Sequence, residues 1–188
     1  LMPQRIQIYF IDNEEYYSSR KVYSDEHGVE YPDQVERCLF FAHGVAETVR
    51  KLRWTPDVIY CQGWFAAVAP LFLRKAANDD ACFKHAKLIC GLFNNPFVTP
   101  WPAKTAQILK VPGVTKADIA EIKDLQVSHT MLCKLGVKFS DGVVITDPDL
   151  DPELLEYVNG SGKQILDVSA DEELNVQAYN DFFEKFLE

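Results

Sequence analysis

Positive charge is scarce in this sequence. Lysine and arginine number 19 against 28 aspartates and glutamates, which gives a formal net charge of -9 at pH 7. Nucleic acids and anionic membrane surfaces are bound through clustered lysine and arginine side chains. The composition therefore predicts that neither is a partner of the chain, and it leaves neutral ligands such as sugars open.

The five cysteines lack the arrangement of a metal site or a disulfide framework. They are odd in number and widely spaced, and they form no Cys-x-x-Cys pair. This pattern is typical of small buried side chains in a reducing cytoplasm. We therefore expect no disulfide, no metal and no cofactor, and a cytoplasmic location.

Long apolar runs are missing as well. No run approaches the roughly 18 residues that a membrane-spanning helix needs, and no signal peptide opens the sequence. We expect no membrane span.

What the sequence does contain is an alternation of strand-like and helix-like stretches. Hydrophobic residues make up 47% of 188 residues, enough to bury the core of one domain. The predicted strands are residues 5–11, 58–61, 87–93, 143–146 and 164–168. The predicted helices are residues 35–52, 65–73, 104–110, 117–125, 131–137 and 153–158. This order is typical of the α/β class and predicts a doubly wound parallel sheet.

A further helix is predicted to close the chain. It begins at Ala170 or Asp171, and its apolar face consists of Leu174, Val176, Tyr179, Phe182, Phe183 and Phe186. Its polar end favours an authentic carboxyl terminus.

Capping residues mark three of the helix starts. Asp33 with Glu36 three positions later reads as a capping box, Ser128 as an N-cap, and Asp151 precedes a proline at the first helical position. Residues 14–31 show no period and are predicted to be a loop with a short hairpin. The four tyrosines of this loop suit sugar stacking, a protein interface, or packing of the loop on itself.

The chain is organised around residues 54–73. A Pro-Asp turn opens the strand over residues 58–61, the loop Gln62-Gly63-Trp64 follows, and apolar residues then resume at helical spacing. In parallel sheets, ligands bind where the strands end and such loops emerge. The segment from Gln62 to Phe65 is therefore the first candidate site.

Three stretches resemble segments of bacterial glycogen and starch synthases, in the same order and spacing. Residues 56–64, PDVIYCQGW, resemble PD-[IV]-[IV]-H-x-[HN]-[DG]-W-H. Residues 10–20, FIDNEEYYSSR, resemble [FL]-[IL]-D-N-x-x-Y-F-x-R, and residues 35–41, VERCLFF, resemble x-E-R-[FI]-x-F-F.

The resemblance implies a Rossmann-like lobe of a two-lobe glycosyltransferase that builds α-1,4-glucan from ADP-glucose. Residues 1–188 correspond to the amino-terminal, acceptor-side lobe, without the family's first βαβ unit. The resemblance implies substrate binding by Gln62, Gly63, Trp64, Asn94, Asp12, Asn13 and Tyr16. Each of these residues also has a structural alternative. Trp64 suits burial in the core, Asn94 suits a turn, and Asp12 with Asn13 suits the end of a strand.

The sequence departs from the family where the resemblance would place catalysis. The family's Lys-x-Gly-Gly loop is absent, its histidine after the tryptophan is replaced by Phe65, and the histidine of its His-Asn pair is replaced by Phe93. Phenylalanine neither exchanges a proton nor donates a hydrogen bond, so the catalytic residues stay unknown.

Two functions remain open. One is a synthase-like lobe, inactive alone, that works with a donor lobe or is part of a longer synthase. The other is a non-catalytic descendant that binds glucan or a protein. The implied partners are an α-glucan acceptor and either a second copy of the chain or a separate donor lobe.

Overall fold

The computed structural model describes residues 6–77, 79–171 and 175–187. Its strands are β1 (Val58–Gln62), β2 (Lys87–Leu92), β3 (Gly142–Ile145) and β4 (Gln164–Asp167). Its helices are α1 (Gln34–Leu52), α2 (Val68–Lys75), α3 (Thr105–Ile108), α4 (His129–Lys138), α5 (Pro152–Gly160) and α6 (Val176–Glu184), with short 3-10 turns at Trp64–Ala66 and Ala120–Ile122. No helix of these described residues is both long enough and apolar enough to cross a membrane.

The four strands form one parallel sheet in the order β1-β2-β3-β4. One row of paired residues crosses it, from Cys61 to Cys90, Val143 and Ile165. Because all four strands run the same way in this register, their carboxyl ends form one continuous edge of the sheet. That edge is the one where the sequence predicts the site.

Helices cover both faces of the sheet, so the α/β prediction is confirmed. Cys90 and Val143 belong to the core that contains residues of α2, α4 and α5. Ile89 and Val144, the neighbours of those two residues along the strands, pack instead with Phe182 of α6. This alternation follows from the two-residue period of a strand, and near-continuous apolar strands are what burial on both faces requires.

Two of the three predicted caps are confirmed. The Ser128 hydroxyl accepts a hydrogen bond from the backbone N of Met131 at 3.2 Å, and the Asp151 carboxylate accepts one from Leu154 at 3.1 Å. Each satisfies a backbone donor that the first turn of a helix leaves free.

The predicted capping box at the start of α1 is wrong. Asp33 stands at the N-cap position, but its side chain makes no cap hydrogen bond. Its two carboxylate oxygens instead accept from the two terminal nitrogens of Arg20, each at 2.8 Å. A bidentate, charge-assisted pair of this kind is stronger than a neutral cap, and it lowers the pKa of Asp33. Glu36 lies 3.9 Å from Lys104.

The predicted strand over residues 5–11 is not formed in its described part. Residues 6–11 have no regular secondary structure and no strand pairing, and Ile6, Ile8 and Phe10 are 84%, 74% and 91% exposed. A strand needs a partner for its backbone groups, and no described segment pairs with this one. Arg5 lies outside the described residues.

The helix predicted over residues 117–125 is replaced by turns and the short 3-10 turn. Asp124 has a φ of 59°, and Lys123 is extended, so helical geometry cannot continue through them. The closing helix also starts later than predicted. Asn175 caps it by accepting from Ala178 at 3.0 Å, Val176 is exposed rather than on the apolar face, and Leu174 lies outside the described residues.

The carboxyl end of α2 is tied to the segment that follows α3. The ammonium of Lys75 lies 2.8 Å from one carboxylate oxygen of Asp118. The other oxygen accepts from the backbone N of Thr115 at 2.8 Å and from its hydroxyl at 2.7 Å. Although burial raises it, the hydrogen bonds from Lys75 and Thr115 lower the pKa of Asp118 to about 2.

This pairing predicts an acid-sensitive contribution to stability. The carboxylate of an unfolded aspartate titrates near pH 3.9, so the contribution is complete above about pH 4 and is lost as the pH falls through about 2. We expect Asp118→Asn to lower the free energy of unfolding by about 1–2 kcal/mol at pH 7 and by almost nothing at pH 2. Urea unfolding at pH 7, 4 and 2 measures this. The matched control is Asp79→Asn at an exposed position; a pH-independent effect of Asp118→Asn would contradict the prediction.

Candidate functional site

The ends of β1 and β2 bring three of the predicted site residues together. Gln62 is exposed at the end of β1, and the backbone N of Gly63 donates to the carbonyl of Gly91 in β2 at 2.9 Å. The Phe93 ring covers Gly63 so closely that an added Cβ would lie 2.8 Å from it. Asn94 is exposed beside them. A φ of 74° and this close ring together explain why position 63 is glycine.

Carboxylates from the end of β3 join this edge. An oxygen of Asp147 accepts from the backbone N of Asn94 at 3.2 Å, and its other oxygen accepts from the backbone N of Asp149 at 2.9 Å. Asp167 ends β4 and is exposed. The edge therefore offers amide and carboxylate groups. Both can hydrogen-bond hydroxyls, and the negatively charged carboxylates repel anions.

Trp64 does not present an open ring at this edge. It is 3% exposed and lies with ring centroids 5.2 Å from Phe97, 6.1 Å from Trp101 and 5.1 Å from Tyr23. Its burial confirms the alternative prediction that Trp64 belongs to the hydrophobic core. It supports the surface above it rather than stacking on a ligand.

Phe65 is enclosed by aromatic rings. Their centroids lie 5.5 Å away for Trp64, 5.7 Å for Phe41, 6.1 Å for Tyr23 and 6.4 Å for Tyr17. The ring that stands where the resembled family has a histidine is therefore half-buried in an apolar cluster. Residue 65 itself offers no ionisable group, and the guanidinium of Arg37 lies 6.0 Å from the Phe65 ring.

The loop over residues 14–31 supplies much of that enclosure. Tyr17 donates from its hydroxyl to the carbonyl of Arg37 at 2.6 Å, and burial raises the pKa of Tyr17 to about 12. The guanidinium of Arg37 lies 4.6 Å from the Tyr31 ring. A bridge between Ser24 and Glu30 confirms the predicted hairpin. All four of its tyrosines thus pack within the loop or onto its neighbours, as the third alternative proposed.

Asp12, Asn13 and Tyr16 lie over α1 rather than between the strand ends. The Asn13 side chain accepts from the backbone N of Glu15 at 2.9 Å and of Tyr16 at 3.0 Å, and Asp12 accepts from Asn13. The Tyr16 ring packs 5.3 Å from Phe40 of α1. These contacts fix a turn and leave the exposed Asp12 carboxylate pointing to no described partner beyond Asn13.

Histidine and metal chemistry find little support here. Burial lowers the pKa of His43 and of His129, so both imidazoles are mainly neutral at pH 7. His43 packs on Phe72 and His129 on Phe97. Within the described ranges, no group of three or more potential ligands is arranged to hold a metal ion.

A cavity of about 300 Å³ lies between the start of α1 and the segment that follows β2, and it was missed from the sequence. Its walls come from residues 30–34, before and at the start of α1, and from residues 97–102, which follow β2, with Gln126 at its rim. The two walls are far apart in the sequence, so no local pattern joins them. The local signal for it is the cluster Pro100-Trp101-Pro102, where two prolines interrupt regular secondary structure.

Known proteins share both the sequence pattern and the fold. The family of the starch synthase catalytic domain matches residues 1–166. The glycogen synthase of Chlorobium luteolum is 35% identical over 166 residues, covering 87% of this chain and 33% of that protein. The glycogen synthase of Chlorobaculum tepidum is 29% identical over 157 residues, covering 83% and 31%. The chain therefore spans about a third of the length of these relatives.

A solved structure has the same fold. The catalytic domain of starch synthase IV from Arabidopsis thaliana, bound to ADP and acarbose, superposes with a TM-score of 0.56 at 15% identity. The match covers 77% of this chain and 30% of that one. At this identity the likeness establishes the arrangement of strands and helices, with no statement about ligands.

Proposed function

Because this chain belongs to the family of the starch synthase catalytic domain, we propose that residues 1–188 form the acceptor-side lobe of a glycogen or starch synthase-like glycosyltransferase. In this proposal the lobe binds α-glucan at the ends of β1 and β2. ADP-glucose binds to a second lobe, and transfer needs both.

The enclosure of Phe65 carries the proposal that this lobe is inactive alone. Transfer from a nucleotide sugar develops charge on the sugar and on the departing diphosphate, and both need polar or cationic partners. Phe65 sits among four aromatic rings, and Phe93 covers Gly63. The negatively charged carboxylates of Asp147 and Asp167, at the same edge, repel the negative charge of a diphosphate.

Neutral glucan suits the edge better than the donor does. The exposed amides of Gln62 and Asn94 each donate and accept hydrogen bonds, and carboxylate oxygens accept from sugar hydroxyls. We therefore propose that these two side chains contact the acceptor. The five free cysteines, without a disulfide among them, are in keeping with a reducing cytoplasm.

Titration calorimetry with maltoheptaose and with ADP-glucose, beside a radiolabelled transfer assay, tests this function. We expect maltoheptaose to bind, ADP-glucose not to bind, and no transfer by the chain alone. Gln62→Ala and Asn94→Ala each remove one hydrogen-bonding group and are expected to weaken glucan binding by about fivefold. Gln177→Ala, on α6 beneath the opposite face, is the matched control. Transfer by the chain alone, or the absence of glucan binding, would overturn the proposal.

A second function, a non-catalytic glucan- or protein-binding lobe, is favoured by the same two phenylalanines. Addition of a separately produced donor lobe, such as the remainder of the Chlorobium luteolum glycogen synthase, distinguishes the two. Transfer by the mixture supports the synthase-like lobe, and glucan binding without transfer supports the non-catalytic one. Light scattering of the same samples shows whether the partner is a second copy or the donor lobe.

A further inference from the structure

A small pocket lies beside the carboxyl end of α3 and shares no residue with the candidate site at the strand ends. Its volume is about 180 Å³, and its walls come from residues 106–110 and 116–124. Ala106 and Ile119, which are 5% and 4% exposed, form an apolar base. The other lining residues are exposed: Gln107, Lys110, Lys116, Lys123 and Asp124. Because three of these are lysines, we call it the lysine-rimmed pocket.

The two walls of the lysine-rimmed pocket are fixed by the core beneath them. Ala106 and Ile119 belong to the hydrophobic core that contains residues of α2, α4 and α5. The second wall is also tied to α4, because the ammonium of Lys138 donates to Glu121 at 2.9 Å and to the carbonyl of Asp118 at 3.3 Å. A pocket that is already formed loses little conformational entropy when a ligand binds.

Two of the three rim lysines have no acidic partner among the residues that the structure describes. Lys110 and Lys116 form no salt bridge there. The acids closest to Lys116 in the sequence, Asp118 and Glu121, are engaged by lysines outside the pocket. The ammonium groups of Lys110 and Lys116 are therefore available to the carboxylates of a ligand.

The third rim lysine has only a weak partner. Lys123 lies 3.6 Å from Asp124, and these side chains are 68% and 71% exposed. Exposed pairs of this kind contribute little, so Lys123 can exchange Asp124 for another carboxylate. Three lysines and one aspartate give the pocket two net positive charges, whereas the whole chain has a formal net charge of -9. An acidic ligand is thus attracted to this pocket although the net charge of the chain repels it.

We propose that the lysine-rimmed pocket docks an acidic segment of a partner protein, which inserts one large apolar side chain and places its carboxylates beside the lysines. Small-molecule sites usually measure about 300–1,000 Å³, and about 180 Å³ is below that range. Protein interfaces commonly depend on a few apolar anchors in pockets, and complementary charges around them select the partner. Such an anchor covers the apolar base, which a purely polar anion would leave in contact with water. The proposal is independent of glucan binding.

Nuclear magnetic resonance of the nitrogen-15-labelled chain tests the docking, with the blocked peptide Glu-Glu-Phe-Glu-Glu as the probe. We expect the backbone amide signals of residues 106–124 to shift on titration. The peptide Gln-Gln-Phe-Gln-Gln lacks the charges, and Glu-Glu-Ser-Glu-Glu lacks the apolar side chain. Each is expected to bind about fivefold more weakly or worse. Raising the ionic strength from about 0.05 M to about 0.3 M is expected to weaken binding of the probe by about threefold.

Charge variants of the pocket separate specific docking from a general effect of charge. Lys116→Glu is expected to weaken binding of the probe by about fivefold to tenfold. Lys84→Glu, the same change at an exposed lysine outside the pocket, is expected to leave it within about twofold. Asp124→Asn removes the negative charge from the lining and is expected to tighten binding by about twofold. Asparagine tolerates the φ of 59° at this position, and loss of folding could not produce a gain in affinity.

Several results would overturn the docking site. These are unchanged amide signals at residues 106–124, equal losses for Lys116→Glu and Lys84→Glu, and equal binding of the three peptides. Shifts of the same amides as large as those with the probe, but caused by maltoheptaose, by inorganic phosphate or by a higher concentration of the chain alone, would overturn it as well. They would assign the pocket to a sugar, a small anion or a second copy of the chain.

Discussion

Replacing Gly113 with alanine is expected to lower the free energy of unfolding by about 3 kcal/mol or more. Gly113 has a φ of 88°, which residues with a Cβ rarely adopt. An added Cβ would lie 2.9 Å from the carbonyl carbon of Lys75, 3.0 Å from the Cα of Ala76, and closer still to the Lys75 carbonyl oxygen. All of these are backbone atoms at the end of α2, so no side-chain rotation relieves the contact. Urea unfolding followed by circular dichroism measures the loss.

Gly28→Ala is the matched control for this prediction. Gly28 has a φ of 80°, and nothing lies within 4 Å of an added Cβ. Its substitution therefore reports the cost of the backbone conformation alone, about 1 kcal/mol. The excess for Gly113→Ala measures how closely the segment before Asp118 is packed on α2. Equal losses for the two variants would mean that the backbone around Gly113 and the end of α2 rearranges without lowering the free energy of unfolding.

The parts of the fold that follow from local sequence could be predicted. Each strand of the sheet lies in a stretch that the sequence predicts as a strand, and the alternation of strands with helices predicts that they run parallel. The caps at Ser128 and Asp151 are likewise local, because donor and acceptor are three residues apart. These caps form as predicted because no other acceptor in the described chain competes for the backbone N–H donors of the first helical turn.

The wrong predictions concern features that depend on a residue distant in the sequence or on a pairing partner. Asp33 has the sequence of a cap, but Arg20, thirteen residues away, takes its carboxylate. Residues 6–11 have the composition of a strand, but strand formation depends on a partner that no described segment provides. Local propensity contains no information about either.

The candidate site divides in the same way. The sequence identifies position 65 as the departure from the family, and its chemical consequence follows from phenylalanine itself. What it could not predict is that Tyr17 and Tyr23, from a loop without period, would close over Phe65. The cavity at Trp101 was missed because Glu30, which joins its walls, is 68 residues from Val98.

Arg37 stabilises the packing of the tyrosine loop, residues 14–31, over Phe65. Its side chain is fully buried, and one terminal nitrogen donates to the carbonyl of Lys21 at 2.8 Å. The guanidinium lies 4.6 Å from the Tyr31 ring and 5.2 Å from the Tyr17 ring. Burial, and then the positive charge of Arg20, lower its pKa. A buried arginine of this kind contributes packing and cation–π contacts along its whole length, in addition to one backbone hydrogen bond.

Arg37→Ala is therefore expected to lower the free energy of unfolding by about 3–5 kcal/mol, since it empties a fully buried position and leaves the Lys21 carbonyl without its donor. Arg37→Met is the matched control, because it keeps most of the volume and removes the charge. Nε has no hydrogen-bond partner in the described chain, so the charge itself is poorly compensated, and we expect methionine to cost only about 1–2 kcal/mol. Urea unfolding gives both values, and the exchange rates of the backbone amides in residues 14–31 show whether the loop detaches. Equal losses for the two variants would mean that the guanidinium and its hydrogen bond, rather than packing, keep the tyrosines over Phe65.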